Sequence, residues 1–68
     1  MYASVSFPIS SFKTFTYAIP KSLNGQVQLG SCVNAPINRR ILPGFVVNIQ
    51  PKPKFEGEIV EIFSINEL

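Results

Sequence analysis

No part of this chain runs far without a residue that interrupts a regular backbone ladder. Prolines stand at positions 8, 20, 36, 43, 51 and 53 and glycines at 25, 30, 44 and 57, so residues 9–19 and 58–68 are the longest stretches free of both. Proline lacks a donor N–H and fixes φ, while glycine loosens the backbone, so long helices are disfavoured and short extended segments joined by turns remain. Those segments alternate with period two, the strand signature. In "YASVSF", Ala3, Val5 and Phe7 alternate with Tyr2, Ser4 and Ser6 until Pro8 ends the run. A second strand runs from Lys13 to Ile19, with Phe15, Tyr17 and Ile19 alternating with Thr14, Thr16 and Ala18, and is closed by Pro20.

The rest of the chain divides in the same way. Asn24-Gly25 is a turn signal because both residues tolerate positive φ. Gly30 opens a third strand, "SCVNAP", which Pro36 stops. "INRRILPG" then reads as a basic loop with Pro43-Gly44 as its turn, followed by a fourth strand, "FVVNIQ", with Phe45, Val47 and Ile49 on one face. "PKPKFEG" is a stiff connector, since paired prolines favour extended backbone. In "EIVEIFSI", Ile59, Ile62 and Phe63 also fit a helical stripe, but β-branched content and the preceding Gly57 favour a fifth strand. The expected fold is all-β, a small five-stranded, partly closed β-barrel without long helices. Cys32 is expected inside it as a small hydrophobe, and Gly25, Gly30 and Gly44 as backbone devices for turns and bends.

At 68 residues the chain is one domain, 1–68, or a piece of a larger protein. Its apolar content of 46% suffices for a compact core. Cys32 is the single cysteine, so no intrachain crosslink exists, and a lone thiol suits a reducing cytoplasm. There is no His, which removes His-based acid–base chemistry and argues against a metal site. No apolar run approaches the ~20 residues of a membrane span, and no signal-peptide pattern opens the chain. Ser10, Ser11 and Cys32 have no base to activate them, the glutamates cluster in one segment, and there is no phosphate-binding G-x-x-x-x-G-K-[ST] loop, so no catalytic site is expected in these residues.

Charge is unevenly placed. Lys13, Lys21, Arg39, Arg40, Lys52 and Lys54 all precede residue 55, whereas Glu56, Glu58, Glu61 and Glu67 all follow it, for a net charge of +2. Either the acidic end folds back onto basic loops, or the first part presents a mild basic face to a polyanion.

Read end to end, the order of pieces resembles the extreme N-terminus of the primosomal protein N′ (PriA) replication-restart helicase family. The resemblance rests on a first strand ending in Phe7-Pro8, then "FTYAIP", "LNGQVQLGSCVNAP", a basic "NRR" and a "GFVV" strand. It implies a small β-barrel that holds the 3′ end of the nascent leading strand at a stalled fork, without regard to sequence. It also implies a bacterial, cytoplasmic, nucleoid-associated protein whose full-length form is an ATP-dependent helicase that binds ATP and zinc, neither of them in this fragment. DNA (a 3′ end or a fork) and other replication-restart proteins are its implied partners, and no membrane is.

The resemblance also assigns site residues. Phe15 and Tyr17 match the family's aromatic positions, for stacking on a terminal base. They share one strand face, which is also the pattern of a core, so each has a site reading and a packing reading. Thr16 stands where many members carry Asp; it still accepts a hydrogen bond from a 3′-hydroxyl but lacks the charge that repels a 3′-phosphate, so weaker discrimination between the two ends is expected. Ile37-Asn38 replaces a Phe-Gly pair, and Asn38 tolerates the backbone angles such a turn needs. Arg39 and Arg40 supply charge for phosphate or are solvated loop arginines. A family lysine falls around Gly57 or Glu58 and is missing here. Lys52 and Lys54 stand in for it or protect a sheet edge from pairing. The alternative function is a small β-barrel protein–protein interaction module, and self-association of the fragment is compatible with an uncovered edge.

Overall fold

A computed structural model describes residues 1–8, 13–52 and 58–67. Five strands form one sheet: β1 (Tyr2–Ser6), β2 (Thr14–Ala18), β3 (Cys32–Ile37), β4 (Arg40–Gln50) and β5 (Ser64–Ile65). The spatial order is β2-β1-β4-β3-β5, and all neighbours are antiparallel. A short 3₁₀ turn over Lys21–Leu23 is the one helical element among the described residues, so the fold is all-β, as the proline and glycine spacing implies.

The sheet does not close on itself, yet its two edges approach each other. Residues 60–62 run beside β2, with Ala18 N–H donating to Val60 O (2.9 Å) and Ile62 N–H to Ala18 O (3.0 Å). The same segment then crosses to β3, where Phe63 N–H donates to Asn34 O (2.8 Å) and Asn66 N–H to Cys32 O (2.9 Å). Side chains reinforce this second attachment, since Asn34 Nδ2 donates to Ser64 Oγ and Asn66 Nδ2 to Asn34 Oδ1, both at 2.9 Å. The result is a partial barrel with an open seam between β2 and the end of β3.

The core is the inward half of each alternating pattern: Ala3, Val5 and Phe7 after and along β1, Tyr17 from β2, Val33, Ala35 and Ile37 from β3, Val46 from β4, with Val27 and Ile62. Phe7 sits at its centre, edge-on to Phe15 and Tyr17 with ring centroids 6.0 and 6.1 Å away.

Several expectations need correction, among them the end of the third strand, which Pro36 does not stop: β3 runs through it to Ile37, with Pro36 paired to Ile41. First, "INRRILPG" is not a loop: β4 begins at Arg40, and only Asn38 and Arg39 turn the chain, with φ of 48° and 65°. Pro43 and Gly44 lie within the strand, paired with Asn34 and Val33. Pro43 is tolerated because Asn34 points its carbonyl at Phe63, so the Asn34–Pro43 pair exchanges no hydrogen bonds and Pro43 faces away from β3. On that flank β1 has already ended, its last partner being Phe45, so no ladder bond is lost. Gly44 is a space-making residue rather than a turn: a Cβ there would lie 2.7 Å from Val5 Cγ1 and 2.9 Å from Phe7 Cδ1.

Second, Phe45, Val47 and Ile49 do not act as one face. Ser4 pairs with Asn48 but Val5 with Val46, so Val47 is an extra residue in the ladder, a β-bulge that switches the inward phase. Phe45 and Val47 are exposed, while Ile49 packs on the core. Third, Cys32 is partly exposed on the outer face, because Val33, Ala35 and Ile37 take the inward phase of β3. Gly25 and Gly30 do serve turns, at φ of 85° and 87°. The fifth strand is much shorter than the expected 58–65 run, because residues 58–63 are committed to the β2 edge and the crossing.

Candidate functional site

The open seam contains a hollow of about 370 Å³, at the small end of the roughly 300–1,000 Å³ typical of ligand clefts. Three pieces of chain wall it: Thr14–Tyr17 of β2, Pro36–Asn38 at the β3–β4 turn, and residues 58–60. Each is there for a stated reason. β2 is the sheet's outer strand, so its free edge faces the seam. β3 carries β5 only at Val33 and Asn34, so its last residues are uncovered on that side. Residues 58–60 are held beside β2 by the hydrogen bonds of Ala18.

Phe15 and Tyr17 share a strand face but not an environment. Tyr17 is 3% exposed and Phe15 38%. Tyr17 packs its ring edge-on to Phe7 and donates its hydroxyl to Pro36 O at 2.7 Å. That carbonyl points the same way as Asn34's, towards the side of β3 where β5 has ended, so the phenol satisfies an acceptor that the sheet leaves free. Burial pushes the Tyr17 hydroxyl above its ordinary pKa of 10.0, because a phenolate there would lose hydration. Tyr17 is thus core, and it also ties the turn to β2 and sets the width of the hollow. Phe15 keeps one side against Phe7 and presents the rest to the hollow.

The turn beside it is a two-residue hairpin of the kind in which both central residues take positive φ, where Asn-Gly is the favoured pair. Asn38 suits its position. Arg39 does not: at φ 65° it occupies the place of the glycine, a conformation that costs an L-residue roughly 1–2 kcal/mol. Strain of this kind concentrates at functional sites. Asn38 lines the hollow, and Arg39 and Arg40 are exposed immediately beyond it.

Of the residues assigned from sequence, Phe15, Thr16, Tyr17 and Asn38 therefore meet in one hollow, and Arg39 and Arg40 flank it. Lys52 does not join them, lying past the end of β4 opposite the turn, and Lys54 lies outside the described residues. Thr14, Ile37 and Pro36 also line the hollow, together with Glu58, Ile59 and Val60. Glu58 was legible only as the place of a missing lysine; what brings it to the hollow is the pairing of residues 60–62 with β2, which no local pattern announces. Among the described residues, no group of three His, Cys, Asp or Glu side chains is placed to hold a metal ion.

The arrangement offers a ring for stacking, a hydroxyl and an amide for polar contacts, and two exposed cations alongside. A family model described as the 3′ DNA-binding domain (3′BD) of PriA matches residues 4–67. No curated protein and no solved structure matches the chain at a significant level.

Proposed function

Because this chain belongs to the PriA 3′ DNA-binding domain family, we propose that the hollow receives the 3′ end of a DNA strand. The terminal base stacks on Phe15, a contact worth about 1–3 kcal/mol and open to any base. Thr16 and Asn38 meet the terminal sugar. Arg39 and Arg40 take the two phosphates nearest the end, one each, fixing the strand's direction without reading its sequence. On this reading the domain holds the nascent leading strand at a stalled fork, as the N-terminal module of a bacterial replication-restart helicase. ATP, zinc and other restart proteins then act through further parts of that longer protein, and the module itself is not an enzyme.

The supporting observation is the convergence of Phe15, Thr16 and Asn38 on one hollow, beside an arginine held where glycine is the favoured residue. Titrating a labelled single strand with a free 3′ end against the same strand capped by a terminal hairpin tests it. The free end binds more tightly, and log affinity falls with log salt with a slope near about −1.4 for two phosphate contacts. Equal affinity for free and capped strands refutes end recognition.

A protein-interaction module remains a second reading because Ile41, Phe45 and Val47 stand exposed along the outer face of β4. Its mark is partner binding that is lost in Phe45→Ser while DNA affinity is unchanged.

A further inference from the structure

Two walls of the hollow run, one residue past the lining, into a cation. Lys13 stands beyond Thr14 on the β2 wall and Arg39 beyond Asn38 on the turn wall, both exposed. Lys13 has a defined place in the sheet. Phe7 N–H donates to Lys13 O at 3.4 Å, which extends the register of Val5 with Phe15 and sets Phe7 opposite Lys13. Directly opposite residues of an antiparallel pair share a face, and Phe7 is core. Lys13 therefore follows Tyr17 and Phe15 on the inward phase of β2, along which exposure grows from 3% at Tyr17 to 38% at Phe15 and on to an open position. In β1 and β3 the inward phase is apolar, so Lys13 places charge on the face that carries the stacking ring.

The cations of the described residues are also sorted by end. Thr14 and Phe45 both pair with Ser6, so Lys13, beyond the one, and Arg40, further back along β4 from the other, lie at the same end of the sheet. Lys21 and Lys52 follow Ala18 and Gln50, both partners of Tyr2, and lie at the opposite end.

We propose that Lys13 and Arg39 form a phosphate clamp at the mouth of the hollow. A strand whose last base lies on Phe15 leaves between them, and they hold the linkage next to the terminal nucleotide from two different walls. The inference rests on the 3′-end reading and adds to it the route by which the strand departs. Lys13 stands two strand residues, about 6–7 Å, outward from Phe15. Its ammonium, on a flexible four-carbon stem, meets a phosphate as a point charge with no fixed angle, whereas Arg39 offers a planar fork. Because both cations meet one phosphate, the number of neutralised phosphates, and with it the salt slope, stays as it is without Lys13. Glu58, on the third wall, opposes an anion in native and variant chains alike, so it cancels from a comparison between them.

A single strand with a free 3′ end, and the same strand with an uncharged methylphosphonate as its last linkage, test the proposal with the 68-residue chain. Lys13→Gln binds the natural strand about two- to fivefold more weakly, without change in melting temperature, since Lys13 is exposed. The methylphosphonate weakens binding more in the native chain than in Lys13→Gln, and Lys13→Arg restores the native difference. That coupling reports a contact, which a merely structural role does not produce. Lys21→Gln, at the opposite end, behaves as the native chain does. If folded Lys13→Gln binds the natural strand as tightly as the native chain, or loses as much affinity to the neutral linkage, the clamp falls while 3′-end binding stands. If the native chain binds free and hairpin-capped strands equally, the reading beneath it falls as well.

Discussion

Replacing Tyr17 by Phe removes a single oxygen and tests how the hollow is held open. The ring stays where it is, 3% exposed and edge-on to Phe7, so the apolar packing is kept. What is lost is the 2.7 Å bond to Pro36 O, leaving a half-buried carbonyl without its donor. Such a bond contributes about 0.5–1.5 kcal/mol net, and an unsatisfied acceptor adds to the loss, so about 1–2 kcal/mol is expected. A chain of 68 residues melts with an entropy near ~0.14 kcal/mol/K, so this corresponds to a drop of about 7–14 °C in melting temperature.

The pH dependence follows from the same group. The folded state keeps Tyr17 protonated to higher pH than the unfolded chain does. Its contribution is therefore complete below about pH 10 and is lost as pH rises through the folded-state value. Thermal melts at pH 7 and through the alkaline range measure both effects, and Tyr17→Phe loses this component of the alkaline slope. Because the bond fixes the turn against β2, the variant also binds a free 3′ end more weakly while remaining folded. A melting temperature within 2 °C of the native chain, with unchanged affinity, refutes the idea that this hydroxyl positions the turn.

Gly44→Ala lowers the melting temperature by about 7–14 °C, from an overpacking cost of about 1–2 kcal/mol against Val5 and Phe7; a rise, as reduced unfolded-state entropy alone gives, contradicts the packing argument. Arg39→Gly relieves a positive φ, so denaturant titration shows it more stable by about 1 kcal/mol, while a binding titration shows it weaker for DNA. Lys52→Ala leaves affinity and salt slope unchanged, because Lys52 is beyond the far end of β4, whereas Arg40→Ala makes the salt slope shallower by about 0.7. Phe15→Ala loses about 1–3 kcal/mol of binding to a free end, measured as affinity.

The first two strands are legible because each is an alternating run with a proline just beyond it, and the third by its alternation alone, since Pro36 lies inside β3; their inward residues, Val5, Tyr17 and Val33 among them, are the apolar ones. β4 is not, because Pro43-Gly44 is a turn signal by local chemistry. It becomes a strand only because β1 stops short of Pro43 and because Phe7 needs the volume a side chain on Gly44 would fill. The Val47 bulge is likewise a property of two strands together and has no signature in either. Within the hollow, Asn38 is reached through the family resemblance, as the stand-in for a glycine whose left-handed backbone it tolerates. The separation of Phe15 from Tyr17 is not legible, since strand period alone gives both rings one face. Their difference comes from position along β2: Tyr17 reaches Pro36, and Phe15 lies nearer the open end.

Amide chemical-shift mapping on addition of a short oligonucleotide with a free 3′ end tests the central claim most directly. The account predicts the largest changes at Phe15, Thr16, Asn38 and Arg39, with Val47 and Lys52 unmoved. Changes confined to the outer row of β4, or to its Lys52 end, with the hollow silent, contradict it.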